Sequence, residues 1–141
     1  MIITPHTNGK VSVFKGPNFG LVQTIVNGFN VEVVATNNDH SLMAEAGDDN
    51  ILRIYSYDGS TYNKIQDINV GFLLRYIVIS SQRIFVAGHA FKIDYYSHDG
   101  SQYVLSQTIS TGIRIYDRGF YSADLSMIAF PESSTSFSVY E

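Results

Sequence analysis

Apolar and polar residues alternate in short runs along most of this chain. In "ILRIYSY" (51–57), Leu52 and Ile54 are apolar side chains at alternate positions, and in "FKIDYYS" (91–97) Phe91, Ile93 and Tyr95 are. A spacing of two is the period of a β-strand with one buried face. Segments rich in Gly, Asn, Asp and Ser separate the runs, and these residues favour tight turns. Ten Tyr and nine Phe add to the preference for strands. The pattern therefore predicts an all-β domain.

The runs also repeat. "LRIYSYDGSTYNKIQDI" (52–68) returns as "KIDYYSHDGSQYVLSQTI" (92–109), with Tyr55 and Tyr96, the two Asp-Gly pairs, and Gln66 and Gln107 all 41 residues apart. An earlier copy, "VSVFKGPNFGLVQTI", places Phe14 at the Tyr55 position, and "FSVYE" begins a further copy at the end. A fixed period of this length indicates a solenoid, a propeller or an array.

One period contains four strand-like segments, for example "LRYIVIS", "RIFVAG", "FKIDYYS" and "YVLSQTI". Such a repeat resembles the blades of WD-type and bacterial surface-type β-propellers, in which the four segments are the inner, second, third and outer strands. The resemblance covers residues 11–140, although the chain has no Trp and so lacks the Trp-Asp pair. It implies a propeller arc of about three four-stranded antiparallel blades plus one extra strand. A β-trefoil is the alternative, since it also has three repeats.

The repeats predict a single domain over 1–141, with third strands starting near 11, 52, 92 and 136. Thirteen strands follow from this pattern. A propeller usually closes with four to eight blades, so these strands do not make a ring. We therefore expect either completion by self-association or membership of a longer propeller.

Composition narrows the possible partners. The net charge is −4 and the nine basic residues are scattered, which disfavours nucleic acid. There is no Cys, the N-terminus lacks the features of a signal peptide, and no stretch is apolar enough to span a membrane. The expected partners are other proteins or copies of the chain itself, with glycan as a further option, and the expected location is cytoplasmic.

Chemically active residues do not cluster in the sequence. Asp48, Asp49 and Asn50 offer oxygen ligands suited to calcium, but their spacing matches no EF-hand loop, and two polar turns explain them better. The histidines occupy different places in the repeat, and no catalytic triad, phosphate-binding loop or zinc-binding helix motif is present. The sequence therefore predicts no catalytic residue, no metal, no cofactor and no enzyme.

Two sets of side chains are candidates for partner binding. Tyr57, Tyr62 and Tyr103 lie near the Asp-Gly turns, where exposed rings suit peptides or sugars. Arg75 and Arg118 fall near the predicted inner strands and would line a central channel. The resulting functional hypothesis is a non-catalytic protein-interaction scaffold, with a carbohydrate-binding or small-ligand-binding, lectin-like propeller as the alternative.

Overall fold

Four antiparallel sheets make up the structure, which we call blades 1 to 4. The computed structural model describes residues 1–112, 120–122, 125–131 and 137–140, and this part of the chain contains fourteen strands. Strands consecutive in sequence are neighbours in each sheet, so blade 1 is β1–β3, blade 2 is β4–β7, blade 3 is β8–β11 and blade 4 is β12–β14. The strands are β1 (Ile2–His6), β2 (Lys10–Lys15), β3 (Gly20–Val26), β4 (Val31–Thr36), β5 (Leu42–Gly47), β6 (Ile51–Tyr57), β7 (Tyr62–Asn69), β8 (Leu74–Ile79), β9 (Arg83–Gly88), β10 (Lys92–His98), β11 (Tyr103–Ser110), β12 (Phe120–Tyr121), β13 (Ile128–Pro131) and β14 (Phe137–Tyr140).

The Asp-Gly turns that mark the repeat close the hairpins between third and outer strands. Gly59 and Gly100 have φ angles of 101° and 105°, a conformation that favours glycine. The Asp58 carboxylate accepts hydrogen bonds from the backbone N–H groups of Ser60 and Thr61, both at 2.8 Å. These bonds hold the pKa of Asp58 below its usual range. Each turn is thus fixed by its own sequence.

The three hydrophobic cores formed by the described residues lie between adjacent blades and not inside any one blade. Between blades 1 and 2 the core contains Val11, Val13 and Met43, and between blades 2 and 3 it contains Leu52 and Ile54 with many residues of blade 3. A smaller core joins blade 3 to blade 4. Every blade therefore needs a neighbour to bury its apolar face.

The inner strands β4 and β8 are in contact, so blades 2 and 3 meet along the side that a propeller would turn to its channel. Strand pairs in the described residues form only within a blade, and neighbouring blades meet face to face. This is the predicted propeller arc. The alternative β-trefoil is not formed, because the repeats do not join through strand pairing.

Two details differ from the sequence prediction. Strand β1 was not predicted, because the predicted strands began at Val11; its Pro5 is tolerated because β1 is the edge strand of blade 1. The described arc consists of two complete four-stranded blades between two three-stranded ones. Blade 1 has the positions of second, third and outer strand, whereas blade 4 has those of inner, second and third strand.

A glutamine on each of two outer strands ties its blade to the next. Gln66 of β7 donates from Nε2 to the Tyr103 carbonyl oxygen and accepts at Oε1 from the Tyr103 N–H, both at 2.8 Å. Gln23 of β3 makes the same pair of bonds with Tyr62, at 2.9 and 2.7 Å. We call this arrangement the glutamine bridge. It fixes how far each outer strand lies from the following one.

Glycines 47 and 88 end the second strands because the preceding crossover passes close to them. A methyl group on Gly47 would lie 1.9 Å from the Asn30 carbonyl oxygen, and one on Gly88 would lie 2.1 Å from the Leu73 carbonyl oxygen. We expect Gly47→Ala and Gly88→Ala each to lower the free energy of unfolding by more than about 2 kcal/mol, since backbone must move. Gly28→Ala, with open space around it, is the control and should change it by less than about 1 kcal/mol in urea unfolding. Equal effects at all three sites would contradict this account.

The contribution of the glutamine bridge to stability can be tested by comparing Gln66 with Gln107, its equivalent in the next repeat. Gln66→Ala removes two hydrogen bonds to the backbone of Tyr103, so the free energy of unfolding should fall by about 1–3 kcal/mol. Gln107 occupies the same place on β11 but bridges no described residue, and Gln107→Ala should change stability by less than about 0.5 kcal/mol. Urea unfolding of both variants measures the difference. A Gln66→Ala protein as stable as wild type would show that the bridge does not hold the blades together.

Candidate functional site

Arg75 lies on the inner strand β8, at the side of the blade where the channel was predicted. Its guanidinium pairs with the Glu32 carboxylate on the inner strand β4 of the preceding blade, and its Nε lies 3.5 Å from His89 Nε2. Both side chains of the ion pair are about one-third exposed. The channel side thus carries paired charges that solvent and a partner can reach. Arg118, the other predicted channel residue, lies outside the described residues.

Tyr62 and Tyr103 have equivalent and largely internal positions. Each is only 3% exposed, and each hydroxyl donates to a carbonyl oxygen in the turn after the inner strand of its own blade: His40 at 2.7 Å and Ser80 at 2.6 Å. Burial raises the pKa of both tyrosines to about 12. Their rings fill the corner between two blades, and their use by a partner stays a prediction.

Tyr57 is more accessible than these two. Its ring packs on Tyr62 with centroids 5.1 Å apart, and its hydroxyl accepts a hydrogen bond of 2.9 Å from Lys15 Nζ of blade 1. The three tyrosines predicted as a binding rim are therefore divided: Tyr57 stands at the half-buried edge of the blade 1–blade 2 junction, while the other two lie beneath the surface.

A buried carboxyl group, Glu45, was not predicted as a functional residue. It is fully buried in β5 and accepts hydrogen bonds from the Tyr55 hydroxyl at 2.5 Å and from Asn27 Nδ2 at 3.3 Å. Burial raises the pKa of Glu45, and the two hydrogen bonds oppose that shift. The signal was present in the sequence, since Val86 takes the same place in "RIFVAG".

The polar side chains near Glu45 form ion pairs and hydrogen bonds with one another. Asp49 pairs with Arg53 at 2.5 Å, and the guanidinium also lies 3.9 Å from the centre of the Phe29 ring. Asp48 accepts from the backbone and side-chain amides of Asn30 at 3.2 and 3.0 Å. Within the described ranges no three His, Asp or Glu side chains are grouped as a metal site would require. Asp48 and Asp49, in the turn between β5 and β6, thus hold that turn to the neighbouring residues Asn30 and Arg53.

A groove of about 360 Å³ lies between blade 3 and the turn that joins β12 to β13. It corresponds to the corner that Tyr62 fills between blades 1 and 2 and that Tyr103 fills between blades 2 and 3. We call it the blade 3–blade 4 groove, and its main lining residues are Arg83, Phe85, Tyr95, Gln107, Ile109 and Leu125. Gln107 aligns with Gln66 in the repeat but was not predicted as a site residue. The signal was its 41-residue spacing from Gln66.

Comparisons with known proteins agree on the fold. A WD-type propeller chain in the crystal structure of the mitotic checkpoint complex superposes with a TM-score of 0.79 at 14% identity, covering 98% of this chain and 46% of that one. A protein assigned as a 6-phosphogluconolactonase from Bacteroides uniformis superposes with a TM-score of 0.75 at 11% identity, covering 95% of this chain and 44% of that one. No family model matches the sequence, and no curated protein matches it.

These matches confirm the β-propeller arc and the resemblance to WD-type blades. The chain spans less than half the length of both matched structures. The prediction that the protein is not an enzyme is wrong as an inference from this architecture, because a chain assigned as a lactonase has the same fold. At such low identity the likeness establishes the fold and leaves the activity to the site. In the described ranges, no helix has the length and apolar character needed to cross a bilayer.

Glu45 gives the junction of blades 1 and 2 a defined pH response. Since folding raises its pKa, Glu45 contributes stability below its unfolded pKa, and this contribution is lost as the pH rises through the folded pKa. Glu45→Gln keeps an acceptor for Tyr55 without the charge, so this variant should gain stability relative to wild type as the pH increases from 4 to 8. Asp67→Asn, on the exposed outer strand, removes the same charge as a control. Thermal unfolding across that range would contradict the account if the wild-type and Glu45→Gln curves ran parallel.

Proposed function

We propose that this chain is a protein-interaction module that associates through its two end blades. The observation that supports this proposal is the position of the exposed large apolar side chains. Of the eleven large ones in the described residues, five are on blade 1 or its turn and three are on blade 4 or its turn, which makes eight at the ends of the arc. Exposed apolar surface of this kind marks contact sites between proteins. The eight are Ile2, Phe19, Leu21, Val22, Val26, Tyr121, Met127 and Val139.

The face of blade 1 that turns away from blade 2 suits a further blade. Ile3 packs into the core with blade 2, so the alternation along β1 turns Ile2 and Thr4 to the opposite face. That face also carries His6, whose Nε2 lies 3.1 Å from Ser12 Oγ. It combines apolar and hydrogen-bonding groups, as protein interfaces do.

A second copy of the chain is the partner we propose first. Propellers close with four to eight blades, and two copies together provide eight sheets. In such a pair, blade 4 of one copy would pack on blade 1 of the other, with the same face-to-face contact that joins blades within the chain. The charged pair of Arg75 and Glu32 would then line a shared channel open to further partners.

Light scattering after size-exclusion chromatography tests association. We expect a mass of about twice the 15.7 kDa of one chain, falling toward one chain on dilution. Ile2→Lys and Val139→Lys place a charge in the proposed contact and should shift the population to single chains, because Ile2 and Val139 are 44% and 48% exposed at the two ends. Ile65→Lys is the matched control, since Ile65 is 53% exposed on blade 2 and lies outside the contact.

A wild-type mass of 15.7 kDa at every concentration would contradict association through the end blades. An equal effect of Ile65→Lys would place the contact on the outer strands instead.

A further inference from the structure

The outer strands of blades 2 and 3 follow one rule. Each begins with a tyrosine, Tyr62 in β7 and Tyr103 in β11, whose ring enters the core shared with the preceding blade. The backbone of the same tyrosine is held by the glutamine of the preceding outer strand, Gln23 or Gln66. One residue thus joins two blades through its ring and its backbone, while its hydroxyl holds it to a turn of its own blade.

The blade 3–blade 4 groove is the same corner one repeat later. Residues lining the corners are equivalent by position: Tyr95 corresponds to Ile54, Ile109 to Ile68, and Phe85 to Ala44. In the blade 2–blade 3 corner these positions pack in the cluster that includes Tyr103. In the last corner they surround about 360 Å³ of space. The lining is therefore apolar and already shaped, as binding sites usually are.

Gln107 presents the polar half of the same arrangement. It faces Tyr95 across the β10–β11 pair, just before the bulge, as Gln66 faces Ile54 across β6–β7. Gln23 and Gln66 are half-buried by the bridges they make, whereas Gln107 is exposed and lines the groove. Its amide is placed to bind the N–H and C=O of one further backbone residue.

The acceptor for a tyrosine hydroxyl is present as well. Leu125 has a φ of 56° in the turn after β12, matching the φ of 59° at His40, whose carbonyl oxygen accepts from Tyr62. The Leu125 carbonyl oxygen lies 3.2 Å from Arg83 Nη1 at the wall of the groove. A hydroxyl entering there would meet both a carbonyl acceptor and a guanidinium donor.

Blade 4 also offers a strand edge. Among the described residues, β14 pairs with β13 alone, and its other edge lies where blades 2 and 3 have an outer strand. An extended polypeptide can add to such an edge through main-chain hydrogen bonds, with side-chain pockets supplying specificity.

We propose that the blade 3–blade 4 groove binds an extended polypeptide strand that begins with a tyrosine. The strand adds to β14, its tyrosine ring enters the groove, and Gln107 bridges the tyrosine backbone. The partner is thus a segment with the pattern of β7 and β11, supplied by a polypeptide other than residues 1–141. This site is distinct from the end-blade contact and does not depend on it.

A synthetic peptide provides the test. The fluorescently labelled segment "QYVLSQTIST", residues 102–111, is titrated with the full chain and followed by fluorescence polarisation. We expect saturable binding. The peptide with Tyr103→Ala should bind at least about tenfold more weakly, because the buried ring is lost. Tyr103→Phe keeps the ring and should lose less than that.

Variants of the chain distinguish peptide binding through Gln107 from non-specific peptide binding. Gln107→Ala should weaken peptide binding about tenfold, as expected for two hydrogen bonds to backbone groups. Gln102→Ala is the matched control, since Gln102 is an exposed glutamine in the turn between β10 and β11 and neither lines the groove nor adjoins a lining residue, and it should leave binding unchanged. Circular dichroism checks that both variants fold.

Two results would overturn the proposal: no saturable binding up to about 1 mM peptide, or equal binding by wild-type and Gln107→Ala chains. Either result leaves the end-blade association untouched, since that is decided by the solution mass of the chain alone. Conversely, a chain that stays monomeric and still binds the peptide through Gln107 refutes the end-blade contact and supports the groove.

Discussion

Contact between neighbouring blades is the interaction on which this structure depends. In the described part of the chain, the apolar faces of the blades are buried where one blade packs on the next. The tyrosine at the start of an outer strand concentrates that contact in one residue, since its ring packs in the core shared with the preceding blade and its backbone is held by a glutamine of that blade. Stability is therefore a sum over junctions, as in other repeat proteins.

Such a design makes the ends of the arc different from its middle. The two complete blades are covered on both faces, while the three-stranded blades each keep a free side or edge in the described part of the chain. Exposed apolar groups accumulate there for the same reason that buried ones accumulate between blades. The exposed apolar surface at the ends of the arc is thus a continuation of the contacts between blades.

Much of this fold could be predicted from the sequence because the repeat carries redundant information. Asp58 and Asp99 each fix a turn through hydrogen bonds to nearby backbone, so local chemistry was sufficient. Strand β1 precedes the first copy of the repeat, which begins at Val11, so the repeat did not indicate it. Its Pro5 is compatible with a strand only at the edge of a sheet. The bridging role of Gln66 depends on a contact 37 residues away, and alternation within a strand contains no such information.

The site was less predictable than the fold for a related reason. A tyrosine near a turn can be a rim residue or a corner residue, and only the packing of the next blade shows that Tyr62 and Tyr103 are corner residues. Gln107 became informative by comparison with Gln66, because the two have equivalent positions and different surroundings. Equivalent residues in unlike environments were a better guide to function than any single motif.

Glu45 shows how an array of similar blades can keep its order. Its carboxyl is matched to Tyr55 and Asn27 at the blade 1–blade 2 junction, whereas the corresponding residue at the next junction is Val86 in an apolar cluster. If blades 2 and 3 were exchanged during folding, a carboxyl would be buried among aliphatic groups without its Asn27 partner, at a cost of about 1–3 kcal/mol. A single buried carboxyl thus makes blade 2 fit the junction with blade 1 better than blade 3 would, although the two blades have similar sequences.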